Sequence, residues 1–220
     1  MDSEKDRDKQ EHLAELRSRL VKAKSVSSEE LAARIKEIGF QCLRCGECCA
    51  GDDNSVVVFP FEIRRINNVT GDSWLDVAEP PSVGEWDRLG NFHTLEWRIK
   101  KCEKSCKFYV YAPSECRIYE AKPLLCSTYP FYLEDGDLRC SECRGLGREI
   151  DPLEAEKIAA LLLERSIVEI QEAISLLENY VDFQRGCPGE GACIVHDSEG
   201  EHRIDWDEIP ALKRDLKFIG

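Results

Sequence analysis

The feature that most constrains this chain is a group of four cysteines at positions 42–49, in the segment QCLRCGECCAG. Cys42, Cys45 and Cys48 are each separated by two residues, so one turn of chain can bring three thiolates to a single metal centre. This spacing is typical of the segment that binds a [4Fe–4S] cluster in bacterial ferredoxins, where a distant Cys-Pro supplies the fourth thiolate. The sequence contains a distant pair of this kind in Cys187-Pro188. The segment therefore predicts a metal centre, with a [4Fe–4S] cluster as the first interpretation.

The N-terminal residues suggest a reducing environment for the twelve cysteines of the chain. They are highly charged and contain neither an apolar stretch nor a cleavage site of a secretory signal peptide. No segment approaches the roughly 18 consecutive apolar residues of a membrane-spanning helix. We therefore expect cytoplasmic localisation without membrane insertion, where cysteines bind metals more often than they form disulfides. Disulfides are the alternative.

Composition narrows the range of partners. The 220 residues carry a formal net charge of −13, and an acidic surface repels the phosphates of nucleic acids. A chain of this length can bury an apolar core without disulfides. We therefore expect no nucleic-acid partner. We also expect the cysteines to bind a metal rather than to stabilise the fold as disulfides.

Zinc is the alternative to iron. Structural zinc sites are commonly built from separated Cys-x2-Cys pairs, and Cys140 and Cys143 form such a pair. The adjacent side chains of Cys48 and Cys49 are expected to diverge. These two residues therefore more naturally serve two different centres, or one of them binds the metal and the other packs as a hydrophobic residue. Thiolate softness suits both metals and does not choose between them.

The hydrophobic pattern predicts an α+β fold, with a small, irregular, cysteine-rich metal-binding core of short strands flanked by N-terminal and C-terminal helices. We divide the sequence into a helical segment 1–39, a metal-binding domain 40–150 and a helical extension 151–220 that carries the loop CPGEGAC. Strands are expected at 91–100, at 108–111 and at 131–133, with Leu95, Trp97 and Ile99 on the buried face of the first and a turn at Gly136 after the third.

Three helices have recognisable boundaries. Ser27 and Glu30 form a capping-box signature for a helix that ends near Gly39. Residues 207–217 are expected to form a short helix. Asp151 and Pro152 begin a helical pattern that continues to about residue 184, with Gly186 as a stop signal.

The long helical pattern separates two cysteine pairs. A straight helix of about 32 residues would span about 48 Å, which would keep Cys187 and Cys193 far from Cys140 and Cys143. We therefore predict a break near Ser166 and a helical hairpin after residue 151. Such a hairpin would return Cys187 and Cys193 to a site shared with cysteines from 102–143.

Further motifs accompany the first cysteine group. They are Phe40-Gln41-Cys42, Cys45-Gly46-x-Cys48-Cys49, Cys106-x-Phe108, Cys116-x-Ile118-Tyr119, Cys126-x2-Tyr129-Pro130-Phe131 and Cys143-x-Gly145-x-Gly147. With them the chain resembles the YkgJ-type cysteine-cluster family, a zinc- or iron-chelating domain with a CxxCxxCC signature. The resemblance covers roughly residues 40–147. The chain departs from it at Lys122-Pro123, where the family usually has Arg-Pro, and at Ser127, where it often has arginine.

The resemblance implies eight core cysteines as metal ligands: Cys42, Cys45, Cys48, Cys49, Cys106, Cys116, Cys126 and Cys143. Four further cysteines complete our predicted ligand set: Cys102, Cys140, Cys187 and Cys193. Twelve thiolates are enough for three four-thiolate centres. His196 follows Cys193 by three residues, a spacing that a Cys/His site could use, whereas His93 is expected to be a packed or surface residue.

Three functions remain open on the sequence alone. The first is an iron–sulfur protein for electron transfer or for support of a redox complex. The second is a structural zinc module for protein interaction. The third, a metal-dependent protein-modifying enzyme resembling lysine methylases, is implied only by the resemblance, and no catalytic residue can be named. No conventional radical-SAM triplet, Rossmann glycine motif or Walker loop is present. We expect a redox or scaffold protein as partner, and the long helix could support an oligomer.

Overall fold

The structure is a computed structural model that describes residues 2–50 and 54–217. Its helices are α1 (Asp2–Ser25), α2 (Ser28–Ile38), α3 (Pro60–Thr70), α4 (Trp74–Val77), α5 (Leu124–Thr128), α6 (Pro152–Asn179) and α7 (Pro210–Lys217). The strands are β1 (Val57–Val58), β2 (Ala78–Glu79), β3 (Glu85–Trp86), β4 (Phe92–Leu95), β5 (Trp97–Ile99), β6 (Lys101–Cys102), β7 (Ser105–Cys106), β8 (Tyr109–Tyr111), β9 (Ser114–Cys116), β10 (Phe131–Glu134), β11 (Asp137–Cys140), β12 (Cys193–Asp197) and β13 (Gly200–Ile204).

The chain folds into two compact units, each built from two stretches of sequence. The first unit comprises Met1–Asn54 and Phe108–Ile174, and the second comprises Ser55–Lys107 and Ser175–Gly220. Both units combine helices with short strands that form small separate sheets, so the predicted α+β class is confirmed. The unit boundaries do not follow the segments 1–39, 40–150 and 151–220, and that division stays a prediction.

The core of the first unit lies between α2, α6 and the hairpin β10–β11. Leu31 and Ile35 of α2 pack with Phe131 of the hairpin and with Ile158 and Leu162 of α6. The start of α2 is fixed as predicted, because Ser27 Oγ accepts a hydrogen bond from the Glu30 N–H at 3.2 Å. These contacts hold the end of α2 against the hairpin, and α2 leads directly into the cysteine group.

Two short antiparallel hairpins complete the first unit. In β10–β11, Phe131 pairs with Cys140 and Glu134 pairs with Asp137. In β8–β9, Tyr109 pairs with Cys116. The strands expected at 108–111 and 131–133 are therefore confirmed, and so is the turn at Gly136, which has a φ of 93°.

The second unit contains a four-stranded sheet in the order β13-β12-β4-β3 and a three-stranded sheet in the order β1-β5-β2. In the larger sheet β12 lies parallel to β4, with Ile194 opposite His93. All five residues of β12 are buried. A sheet of residues from distant parts of the sequence therefore forms the centre of this unit.

The predicted helical hairpin after residue 151 is wrong. Helix α6 runs for 28 residues without a break at Ser166. The side chain of the neighbouring Arg165 stabilises the continuous helix. Arg165 Nε lies 2.6 Å from Glu169 Oε1 one turn later, and its Nη1 donates to Thr128 Oγ1 at 2.9 Å. Residues 193–204, placed in a helical extension, form the β-hairpin β12–β13.

Two smaller predictions also need correction. Helix α6 ends at Asn179, before the predicted stop at Gly186. The strand predicted at 91–100 is divided into β4 and β5 at Glu96, whose φ of 61° reverses the alternation. Trp97 and Ile99 are buried as expected, but Leu95 is 49% exposed.

Within the described part of the chain, no helix is long and apolar enough to cross a membrane.

Candidate metal centre

The cysteine group leaves α2 along a path that is fixed by backbone contacts with the segment after Cys143. The Gln41 N–H donates to the Gly145 carbonyl at 3.0 Å, and the Gly147 N–H donates to the Gly39 carbonyl at 3.0 Å. A Cβ on Gly145 would collide with the Gln41 carbonyl oxygen, so the close approach depends on this glycine. The two cysteine-bearing segments are thereby held side by side, although they are about a hundred positions apart in sequence.

The hairpin β8–β9 supports the other side of the cysteine group. Tyr109 Oη donates to the Cys45 carbonyl at 3.4 Å and lies 2.6 Å from Ser114 Oγ. Ser114 Oγ in turn donates to the Arg44 carbonyl at 2.7 Å. Gly46 has a φ of +78°, and the Tyr109 ring occupies the space that a Cβ at this position would need. Gly46 is therefore required both by backbone conformation and by the packing of Tyr109.

Four of the predicted ligands come together in the first unit. Burial raises the pKa of Cys143, and the thiolate charges of Cys45, Cys48 and Cys42 raise it further. The Cys143 thiol thus responds electrostatically to the three thiols of the Cys42–Cys48 segment. The Gly145 N–H donates to Cys143 Sγ at 3.4 Å. The Cys-x2-Cys-x2-Cys segment and the segment of Cys143 thus lie side by side, joined by the hydrogen bond from Gln41 to Gly145.

Cys48 also lies near a second set of thiols. Its Sγ is 3.9 Å from Cys49 Sγ, and the hydrogen bond from Cys49 is the main reason that the pKa of Cys48 falls to about 7, with a smaller contribution from Lys122. Burial raises the pKa of Cys116, the charge of Lys122 opposes this and the charge of Cys48 adds to it. Cys48 therefore contacts Cys49 and interacts electrostatically with both Cys116 and Cys143.

A cationic aromatic stack borders this second set. Lys122 Nζ lies 4.0 Å from the centre of the Tyr119 ring, and the Arg44 guanidinium lies 5.2 Å from it. The position of Tyr119 in the Cys-x-Ile-Tyr motif, close to Cys116, is the signal in the sequence for this contact.

The twelve predicted ligands are distributed over both units. The first unit contains Cys42, Cys45, Cys48, Cys49, Cys116, Cys126, Cys140 and Cys143, and the second contains Cys102, Cys106, Cys187 and Cys193. Cys193 is fully buried in β12, and burial raises its pKa to about 12. His196 projects from the opposite face of the same strand, so these two residues do not form a joint Cys/His site. The full ligand set stays a prediction.

The donor chemistry fits a metal with a preference for sulfur. Within residues 2–50 and 54–217, no three His, Cys, Asp or Glu side chains are arranged to hold a single metal ion. The grouped thiols nevertheless supply the soft ligands that zinc and iron–sulfur clusters use. Cys42, Cys45, Cys48 and Cys143 are the residues that would hold such a group in the first unit.

Comparison with known families assigns this part of the chain. Residues 41–144 match the family model described as "CxxCxxCC: Putative zinc- or iron-chelating domain". The resemblance inferred from the sequence is confirmed by this match. The matched part of the chain is thus similar to a cysteine-rich domain described as chelating zinc or iron. No solved structure matches the chain.

Proposed function

We propose that the chain binds an iron–sulfur cluster and serves in electron transfer or in support of a redox complex. The observation that carries this proposal is the backbone hydrogen bond from Gln41 to the Gly145 carbonyl at 3.0 Å, which holds the Cys42–Cys48 segment beside the segment of Cys143. Cys42, Cys45 and Cys48 have ferredoxin spacing, and the remote fourth thiol is the one that such a cluster needs. When bound, a cluster of this kind supplies reversible one-electron transfer.

The surroundings of the four thiols support the same proposal. The hydrogen bond from the Gly145 N–H to Cys143 Sγ is of the kind that tunes the reduction potential of a cluster. Tyr129 lies close by: burial raises its pKa, and the charges of Cys143, Cys48 and Cys45 raise it further. Its hydroxyl donates to the Glu142 carbonyl at 2.7 Å. The Tyr129 hydroxyl is thus satisfied by the backbone next to Cys143.

Zinc binding for a structural role is the second candidate. Cys140 ends strand β11, and Cys143 follows it by three residues. A Cys-x2-Cys pair at the end of a short hairpin is a common half of a structural zinc site. In this case the domain would present its surface to a protein partner without redox chemistry. The lysine methylase-like alternative has no comparable observation in its favour.

Anaerobic purification separates these candidates. We expect a brown protein with a broad visible absorbance, iron and acid-labile sulfide. Cys143→Ser should lose the absorbance and the sulfide. Cys102→Ser, a matched change in the second unit, should retain both if the centre is confined to the first unit. A colourless protein that contains stoichiometric zinc and no sulfide would overturn the iron–sulfur proposal in favour of the structural one.

The proposal includes a protein partner, either a redox protein or a scaffold, and oligomerisation through α6. An electron-transfer protein needs a donor and an acceptor, and its acidic surface favours a partner with a basic patch. Light scattering of the metal-loaded protein measures the oligomeric state, and a mass equal to the 25.1 kDa chain would remove the α6 oligomer from the proposal.

A further inference from the structure

A buried row of three titratable side chains lies in the second unit. His93 Nε2 is 3.1 Å from Asp87 Oδ2, and His93 Nδ1 is 2.8 Å from His196 Nε2. Asp87 is 8% exposed and His196 is 2% exposed. Three ionisable groups are therefore joined in a row inside the unit, which requires a defined arrangement of protons.

The hydrogen bonds determine that arrangement. Asp87 accepts N–H groups from Leu89 and from the backbone and side chain of Asn91, so it is an ionised acceptor. Burial favours its neutral form, but these hydrogen bonds and the one from His93 outweigh burial and lower the pKa to about 2. His93 Nε2 must then carry a hydrogen. In the neutral pair His93 Nδ1 is bare and accepts the Nε2–H of His196.

This assignment leaves Nδ1 of His196 without a hydrogen. The same atom is buried and has no hydrogen-bond partner. It faces Glu201 Oε1 at 3.8 Å, and the Glu201 side chain is 53% exposed. A bare nitrogen beside a carboxylate is unsatisfied in the neutral pair, and a proton bound there would be attracted by the carboxylate charge at 3.8 Å.

We propose that Asp87, His93 and His196 form a proton-uptake site in which a proton that binds at His196 Nδ1 leaves its charge on His93. The Nε2 proton of His196 moves to His93 Nδ1 as the new proton arrives, so each ring keeps its hydrogen bonds. One proton is taken up, none is released, and the resulting imidazolium lies beside the Asp87 carboxylate. Glu201, half in solvent, is the entry point.

The charged and titratable groups around the pair favour this location of the charge. Burial lowers the pKa of His196, whereas the charge of Glu201 opposes this effect. Besides Glu201 and Asp87, Glu85 on β3 pairs opposite His93, and Tyr180 of the segment 180–186 after α6 packs against the His196 ring. The same segment carries Asp182 and Arg185, which pair with each other, and Arg185 also pairs with Glu85. Asp197 on β12 and His202 on β13 lie on the opposite face of the sheet. Asp197 is already occupied by Trp97 Nε1 at 2.8 Å and by His202 at 2.9 Å. Asp87 is the counter-ion in direct contact with His93.

The segment 180–186 packs against His93, so its packing should depend on the charge of the His93 ring. Phe183 stacks on the His93 ring at a centroid distance of 3.7 Å. The Gly186 N–H donates to the Trp86 carbonyl at 2.7 Å and anchors the segment. A stack of a phenyl ring on a neutral imidazole becomes a cation–π contact when the imidazole is charged. Proton uptake should therefore tighten Phe183 on His93.

Nitrogen NMR of histidine-labelled full-length protein tests the proposal. At neutral pH both rings are expected as Nε2–H tautomers. On acidification His93 should become an imidazolium, His196 should change to the Nδ1–H tautomer, and the ring signals of Phe183 should move with the same midpoint. Two separate midpoints, or an imidazolium at His196 with His93 neutral, would overturn the proposal.

Variants provide a second test. Asp87→Asn removes the counter-ion and should weaken proton binding at least tenfold, a midpoint lower by about one pH unit. Glu201→Gln should lower the midpoint in the same direction and, being half exposed, leaves the fold intact. Asp72→Asn, a matched change at a carboxylate that pairs with Lys107, should leave the midpoint unchanged. An unchanged midpoint in Glu201→Gln would contradict the entry role.

Discussion

At the scale of single residues, Gly46 shows how tightly the cysteine group is supported. Its φ of +78° and the Tyr109 ring above it both exclude a side chain. Gly46→Ala should therefore destabilise the protein by more than the roughly 1–3 kcal/mol typical of a strained backbone alone. Chemical denaturation of the metal-free protein measures this. Gly147→Ala is the matched control in the same unit, because Gly147 has a φ of +76° and nothing within 4 Å. Equal losses would show that the Tyr109 contact adds nothing.

Cys48 should be the most reactive thiol of the group in the metal-free protein. The hydrogen bond from Cys49 lowers its pKa from 9.0 to about 7, so about half of it is thiolate at neutral pH. The thiolate fraction rises with pH, and the alkylation rate should level off above about pH 8. Cys143, whose pKa is raised chiefly by burial, should react more slowly at neutral pH. Pulsed alkylation with mass spectrometry compares the two, and Cys49→Ala should slow Cys48 toward the rate of an ordinary cysteine.

At the scale of secondary-structure elements, α6 stabilises the first unit through one apolar face. Leu162 is 1% exposed in the core with α2 and the β10–β11 hairpin. Leu162→Ala should cost about 2–5 kcal/mol, because it removes buried methyl groups and leaves a cavity. Leu153→Ala on the same helix, at a position 73% exposed, should change the free energy of unfolding by less than about 0.5 kcal/mol. Similar losses for both would contradict the assigned face.

The turn between β3 and β4 should stabilise the second unit in a pH-dependent way. The folded pKa of Asp87 is about 2, below its ordinary value of 3.8, since hydrogen bonds outweigh burial. A depressed pKa contributes stability that is present above the unfolded value and is lost as pH falls through the folded one, here between about 4 and 2. The contribution is about 2 kcal/mol. Asp87→Asn should remove it, and denaturant midpoints measured from pH 6 to pH 2 should then lose less stability than the parent protein.

The elements that the sequence identified correctly are those with local signals. Ser27 and Gly39 delimit α2 by capping chemistry, and Gly136 marks a turn by its backbone freedom. The break at Ser166 failed because it was inferred from the need to join distant cysteines, whereas Arg165 makes tertiary and i,i+4 contacts that continue the helix. The hairpin β12–β13 was not predicted, because Ile194 and Val195, although they precede a Ser-Glu-Gly turn, form too short an apolar run to identify a strand. Glu96 breaks a strand by a positive φ that alternation does not reveal.

At the scale of the whole molecule, the two candidate sites differ in how far apart their residues lie in the sequence. The Cys-x2-Cys-x2-Cys segment was recognisable because its ligands are neighbours in sequence. The Asp87–His93–His196 row was not, because His93 and His196 meet only through the parallel pairing of β4 with β12. Residues brought together by such pairing are about a hundred positions apart, and a single sequence offers no local signal for their contact.

The distribution of thiols between the units leads to a prediction for the whole chain. If the centre is confined to the first unit, metal should protect Cys42, Cys45, Cys48 and Cys143 from alkylation. Cys102 and Cys187 are exposed and should react with or without metal. Cys193 should react only after unfolding, because it is fully buried and burial raises its pKa to about 12. Alkylation of the metal-loaded and the metal-free protein, followed by peptide mass spectrometry, measures the protection of each cysteine separately. Metal-dependent protection of Cys102 and Cys187 would instead extend the ligand set toward all twelve cysteines, and would contradict a centre built from the first unit alone.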